Sequence, residues 1–186
     1  MSDQDLRRPV TRSRRNVFDG GKYLQVECHV VEWPNGQVID EWSWVITPDF
    51  VNIIAETEAG ALLCFRQFKY ALAEPSLAVP GGYMEPGEDA LIAAQRELRE
   101  ETGYAAPDWT FLGEYPVDAN RGMGKGYFFL ARGARFVGKI ESDDLEDQET
   151  QLLSRAETRQ ALLAGDFKVM PWAAAMSLAL LHLEST

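Results

Sequence analysis

The sequence predicts an α+β fold, a mixed β-sheet with helices packed on it. Three observations carry that prediction. Runs rich in β-branched and aromatic residues fill Lys22 to Phe68 and return between Trp109 and Phe136. A single helical stripe separates these two sets of runs, and two further helical segments close the chain. Prolines and glycines stand where the character changes, as in "EPSLAVPGG".

The elements follow in order. The opening "MSDQDLRRPVTRSRRN" holds Arg7, Arg8, Arg12, Arg14 and Arg15 and no apolar core, so it does not read as a secretory signal. Residues 1–20 are expected to form a basic, flexible arm. "KYLQVECHVVEW" and "QVIDEWSWVIT" flank Pro34-Asn35-Gly36, and Asn-Gly is a strong hairpin signal, giving a β-hairpin region at 21–49. "FVNIIAETEAGALLCFRQFKYA" repeats the pattern around "TEAG". Within Glu88 to Thr102, Leu91, Ala94 and Leu98 recur three and four apart, a helical stripe that Gly103 would end. "WTFLGEYPV" and "KGYFFLARGARF" read as strands, with "DANRGMGKG" between them as a flexible loop. After the acidic "ESDDLEDQET", Ser154-Arg155-Ala156-Glu157 has the form of a capping box opening a helix to Ala164. Gly165 closes that helix, and Pro171 starts a last one through "WAAAMSLALLHL".

Composition narrows the function. With 186 residues, 46% hydrophobic and 25% charged, the chain reads as one ordinary globular domain. It has no apolar run of about 18 residues, the length at which a membrane-spanning helix is expected. Cys28 and Cys64 sit in strand-like runs with only His29 and His182 for company, so no zinc spacing exists and a reducing, cytoplasmic setting fits. A net charge of −11 argues against a nucleic-acid polymer as partner. It leaves room for a small phosphorylated ligand, because a bound divalent metal inverts the local sign.

The densest signal is "GGYMEPGEDALIAAQRELREETGY", which places Glu97, Glu100 and Glu101 within five residues of one helix. Like charges at that spacing cost a few tenths of a kcal/mol each. On a helical wheel with Glu97 at zero, Glu101 falls at about +40° and Glu100 at about −60°. Ala93 and Ala90 precede them on the same face, and small side chains there would leave space beside the carboxylates. Oxygen-rich sets of this kind suit hard cations, Mg²⁺ or Mn²⁺. Gly81-Gly82 would allow close backbone approach and offer a carbonyl ligand. A merely solvated acidic face is the alternative on composition alone.

The spacing itself goes further. Gly82, five residues, Glu88, seven residues, then Arg96-Glu97-Leu98-Arg99-Glu100-Glu101-Thr102-Gly103 resembles the Nudix box. Every charged and glycine position of that pattern is filled, and only Tyr104 departs, at a final aliphatic place. The segment "ALLCFRQFKYALAEPSLAVPGGYMEPGE" is similar to ADP-ribose pyrophosphatase-like members, whose N-terminal hairpin often makes a homodimer. The resemblance spans roughly Lys22 to Leu183.

That resemblance implies an α/β/α sandwich with a mixed sheet over 50–186, preceded by the antiparallel hairpin. It implies a metal-dependent hydrolase of diphosphate linkages, using Mg²⁺ (or Mn²⁺) and acting on a small nucleotide-derived substrate, ADP-ribose or a nucleotide sugar first. Glu97, Glu100 and Glu101 would hold the metals with the Gly81 carbonyl, and an Arg96–Glu88 pair would fix the loop against the helix. Gly82 and Gly103 complete the structural box. A glutamate in a later loop would supply the general base, here Glu146 or Glu149 from "SDDLEDQE". Arg66, Arg121 and Lys125 are candidate phosphate or ribose contacts, because guanidinium forks suit phosphates. Two departures bear on substrate. Ala78 stands where many relatives carry a glutamate, and Pro116 comes earlier than the proline that often marks ADP-ribose hydrolases. Other substrates remain open: NADH, a dinucleoside polyphosphate or a modified nucleoside triphosphate. So does a nucleotide-sensing domain without turnover. Trp33, Trp42, Trp44 and Phe50 are either core or dimer contacts, or a platform for a base.

Overall fold

The computed structural model describes residues 7–138 and 147–185. The chain divides into two compact units: Met1–Pro48 with Pro116–Lys125, and Asp49–Tyr115 with Gly126–Thr186. The sequence was expected to give one domain with a projecting hairpin. The difference is that 116–125 joins the N-terminal segment rather than the hydrolase-like region.

In the first unit, β1 (Val10–Asp19), β2 (Gln25–Glu32) and β3 (Val38–Ile46) form an antiparallel meander. The Asn35-Gly36 turn sits where expected, with Gly36 at φ +84°. Residues 1–6 lie outside the described residues, and the expectation of a flexible arm over 1–20 is corrected for Val10–Asp19, which form β1, laddered to β2 with two register shifts. All ten of its side chains are exposed, so no apolar alternation exists to announce it. Backbone hydrogen bonds and an Arg12–Glu32 ion pair hold it instead. Arginines along an outer strand are also a common way to discourage edge pairing. "DANRGMGKG" is a tight turn and not a flexible loop: β8 (Asp108–Asp118) ends where Asp118 Oδ1 accepts from the Asn120 and Arg121 amides, and β9 (Gly122–Phe136) begins at once. Val45 N donates to Arg121 O, placing the start of β9 beside β3.

In the second unit, β4 (Phe50–Thr57) runs parallel to β9 and antiparallel to β5 (Leu62–Gln67), so the sheet is mixed. β10 (Gln148–Leu153) and β6 (Ser76–Ala78) both pair with β5, and β7 (Tyr104–Ala105) pairs with the end of β9. Alternation along β4 sorts the two faces. Val51, Ile53 and Ala55 pack with Ala93, Ala94 and Leu98 of α1 (Ala90–Thr102). Ile54 points the other way, into a cluster with Ala175, Met176, Ala179 and Leu183 of α3 (Met170–Ser185). The result is a helix–sheet–helix sandwich, with α2 (Arg155–Ala164) packed beside α3.

The helix boundaries follow from their caps. Asp89 caps α1 by accepting from the Leu91 and Ile92 amides, and Gly103 ends it in the left-handed region at φ +72°. The capping box at Ser154 and Glu157 forms reciprocally, and Gly165 closes α2. Glu56 is buried on β4 and is met by Arg155 Nε at 3.0 Å and Arg132 Nε at 3.4 Å. Arg155 Nη1 also donates to the Leu183 carbonyl at 3.2 Å, so one guanidinium links β4, α2 and the end of α3.

Candidate active site

The site lies in the second unit, where the segment Pro80–Glu88 meets α1. Pro80 and Gly82 both give their carbonyls to β4, to Ile53 N at 2.8 Å and Val51 N at 2.9 Å. The Gly81 carbonyl between them is not engaged by β4. The Gly81 amide donates to Glu101 Oε2 at 2.8 Å, which ties the strand-like segment to the last turn of the helix. Gly81 holds φ +153°, and a Cβ there would collide with the Val51 carbonyl oxygen. At Gly82 the close neighbour is different: an added Cβ would stand 2.6 Å from the Glu97 carboxylate carbon and both its oxygens. The glycine pair therefore allows one backbone approach and leaves one carboxylate its place.

Arg96 organises the rest. Its Nε and Nη2 donate to the two oxygens of Glu88 at 2.9 and 3.0 Å, a bidentate pair across eight residues. Nη1 donates to Glu97 Oε1 at 2.7 Å and to Glu100 Oε2 at 3.1 Å, and Nη2 reaches the Tyr83 carbonyl at 3.4 Å. Glu88 Oε2 in turn accepts from the Glu85 amide at 2.9 Å, so the loop is fastened to the helix at both its backbone and its side chain.

Burial grades the carboxylates. The Glu97 side chain is 12% exposed and that of Glu100 44%. Burial pushes the Glu97 carboxyl above its ordinary range, against the pull of Arg96. Hydrogen bonds from Arg96 hold Glu88 below it. The three carboxylates of Glu88, Glu97 and Glu100 hold Arg96 firmly protonated, chiefly through Glu88. The space expected beside Ala93 is not there, because Ala93 is wholly buried against the sheet. The room beside Glu97 comes from Gly82.

The structure thus brings together Gly81, Gly82, Glu88, Arg96, Glu97, Glu100, Glu101 and, as the helix stop, Gly103. Among the described residues no three His, Cys, Asp or Glu side chains gather tightly enough to cage an ion by themselves. Glu97 and Glu100 are turned to Arg96 instead. Arg66 and Glu149 stand opposite one another across the β5–β10 ladder, both exposed. Arg121 and Lys125 belong to the first unit, and Arg121 Nη1 lies 3.8 Å from Asp118 at its own turn. Glu146 lies outside the described residues. Sequence reasoning missed the Asp89 cap, which an aspartate directly before the apolar stripe does signal. It also missed the Tyr83 carbonyl, for which a sequence carries no signal.

This geometry matches a known family. A family model described as NUDIX domain covers residues 46–173. The chain belongs to the Nudix family. Among curated relatives it is 34% identical to an ADP-ribose pyrophosphatase of Bacillus subtilis over 54% of this chain and 53% of that one. It is 29% identical to a CMP-5'-(N-acetyl-N-hydroxy-3-aminopropyl)phosphonate hydrolase of Streptomyces rubellomurinus over 83% of this chain and 73% of that one. The match thus spans about half the length of the Bacillus relative. A crystal structure of an ADP compounds hydrolase superposes with a TM-score of 0.83 over 97% of both chains at 23% identity, a likeness of fold. The Nudix-type α+β fold and the similarity to ADP-ribose pyrophosphatases expected from the sequence are both met by these matches. None of the described helices of this Nudix chain is long and apolar enough to cross a membrane.

Proposed function

We propose that this Nudix chain hydrolyses the diphosphate linkage of nucleoside diphosphate derivatives, with ADP-ribose or a nucleotide sugar as the first candidates. The observation that carries the reading is the place kept for Glu97: a largely shielded carboxylate resting on a glycine whose Cβ would displace it, beside Glu101 hooked to the Gly81 amide. A structural acidic face needs neither feature.

The donor set fits a divalent metal. Glu97, Glu100 and Glu101 offer carboxylate oxygens and Gly81 a carbonyl free of β4, all hard donors of the kind Mg²⁺ and Mn²⁺ prefer. Such a metal supplies charge neutralisation at the diphosphate and a more acidic water. The chain's own residues do the positioning. Arg96, held by Glu88 and the Tyr83 carbonyl, draws Glu97 and Glu100 to one side of α1. The Gly81 amide fixes one oxygen of Glu101 at the end of α1. Arg66 is proposed as a phosphate contact, and Glu146 or Glu149 as the base that takes a proton from the attacking water.

The relatives support the substrate class through their own names, an ADP-ribose pyrophosphatase and a hydrolase of a CMP-linked phosphonate. A homodimer in a reducing cytoplasm is the proposed working form, in line with two unpaired cysteines. The test is a panel of ADP-ribose, nucleotide sugars, NADH, dinucleoside polyphosphates and nucleoside triphosphates with Mg²⁺ or Mn²⁺, products resolved by anion exchange. Release of a nucleoside monophosphate that stops with chelator and in Glu101→Gln, with the thermal unfolding midpoint kept, is the expected result. Unchanged turnover in Glu101→Gln sinks the metal assignment, and nucleotide binding without product points to a sensor.

A further inference from the structure

The outer face of α1 carries a second feature, which shares only Arg96 and Glu100 with the proposed metal site. Ile92, Gln95, Arg96, Arg99 and Gly103 recur three and four apart and line one side of a depression of about 690 Å³. Ala105, Ala106 and Trp109 line the other side. The volume lies within the range of small-ligand sites. The depression adjoins the proposed metal site directly, because Arg96 and Glu100 belong to both.

Its chemistry is specific. Trp109 is fixed from behind: its Nε1 donates to the Ala106 carbonyl at 3.0 Å and its ring meets Phe129 edge-on at 6.2 Å. With its one donor already engaged, the indole offers the depression only apolar surface. Arg96 is saturated by carboxylates and two of its neighbours on the face are not. Among the described residues, Arg99 makes no side-chain hydrogen bond or ion pair and Gln95 makes none either, and both are exposed. Ile92 is 55% exposed, an apolar side chain left in water at the mouth.

We infer that this depression holds the nucleobase of the substrate, stacked on Trp109 with its edge read by Gln95 and Arg99. The inference rests on the proposed hydrolase reading and names the recognition it lacks. A nucleobase has two apolar faces and a polar edge, which is what an indole wall with an amide and a guanidinium at the rim complements. A sugar phosphate needs polar partners on every side, whereas here the polar side chains, Gln95, Arg96, Arg99 and Glu100, all stand on α1 and face Ala105, Ala106 and Trp109. The shared Glu100 puts the diphosphate of such a ligand where the metal-holding carboxylates stand.

The test uses the full chain and three variants: Arg99→Ala, Gln95→Ala and Trp109→Phe. The first two change exposed side chains, so folding is kept. The double variant Arg99→Ala/Gln95→Ala raises KM for the best nucleoside diphosphate substrate about tenfold, the scale of one lost base-edge contact, with kcat unchanged. Without metal, the matching nucleoside monophosphate quenches tryptophan emission in the wild type. The quench is lost in Trp109→Phe and needs about tenfold more ligand in the double variant, again one base-edge contact. Ribose 5-phosphate, which has no base, binds all forms alike. Equal KM and equal titrations in wild type and double variant overturn the inference, as does a loss of ribose 5-phosphate binding parallel to that of the nucleotide. A wild type that hydrolyses nothing on the panel removes the hydrolase reading alone, while the metal-free titrations still decide the pocket.

Discussion

Gly82→Ala separates function from fold at a single methyl group. Gly82 does not hold a left-handed backbone, so alanine is conformationally acceptable there. The added Cβ would stand 2.6 Å from the Glu97 carboxylate, well inside contact distance, and the far end of a glutamate side chain is what must give way. Moving it costs rotamer strain of about 1 kcal/mol. The carboxylate then leaves its place by about an ångström, a displacement that typically lowers rate about a hundredfold. That rate loss equals about 2.7 kcal/mol of transition-state stabilisation. Gly81→Ala is the internal control. There the methyl meets the Val51 carbonyl oxygen, which is sheet backbone, at a φ of +153° that L-residues avoid. The cost falls on folding, about 3 kcal/mol. The assay pairs urea unfolding with turnover of the best substrate for each variant. Gly82→Ala is expected to keep its unfolding midpoint and lose turnover, Gly81→Ala to lose stability. Wild-type turnover in Gly82→Ala would refute the argument that the glycine keeps a place for Glu97.

Four other outcomes follow, two from the same site and two from contacts elsewhere in the chain. Glu97, raised by burial, binds its proton more tightly folded than unfolded, so its ionised form costs stability above its folded pKa and the cost fades on acidification. Glu97→Gln is therefore expected to abolish turnover, to match or exceed the wild-type stability at neutral pH, and to lose that margin as pH falls; a margin that widens on acidification contradicts the assignment. Glu88 has the opposite sign, its stabilisation being present above the unfolded pKa and lost as pH drops through its lowered one. Glu56→Ala removes the buried carboxylate beneath Arg155 and Arg132, whose partly exposed side chains can regain water, and should cost about 2 kcal/mol in urea unfolding, the scale of a lost charged hydrogen bond, with KM unchanged. Ser154→Ala breaks one half of the α2 capping box and should cost about 1 kcal/mol, read by the same unfolding assay.

What the sequence made legible is what has local chemistry or a periodic apolar face. Ser154 and Glu157 cap each other within one turn, Asn35-Gly36 turns on itself, and Leu98 and Ala94 bury one side of one helix. The Nudix box is legible for the same reason, since Glu88, Arg96, Glu97 and Glu100 interact across one loop and two helical turns. β1 was not legible, because its side chains are exposed on both faces and backbone bonds with one surface ion pair hold it. The turn at Asp118–Gly122 was read as a loop because its glycines signal bending without saying how tight the bend is; the Asp118 carboxylate closes it. The outer α1 depression was beyond reach, because Trp109 comes to Arg99 only through the fold.

The arrangement around Arg96 also says how the proposed metal site is kept ready. Three carboxylates converge on one guanidinium, and the two at Nη1, Glu97 and Glu100, belong to the proposed metal set. Without a cation these side chains would repel one another, and burial already disfavours the charged form of Glu97. Arg96 offsets that charge while Glu88 and the Tyr83 carbonyl hold the arginine itself in place. The bonds to Glu88 use Nε and Nη2, so Nη1 can release Glu97 and Glu100 without freeing the loop. A lysine carries the same charge but lacks the fork that lets one end anchor while the other lets go. The pairing at Glu88 therefore serves the carboxylates it does not touch, which is why the box spaces an arginine eight residues from a glutamate and directly before another.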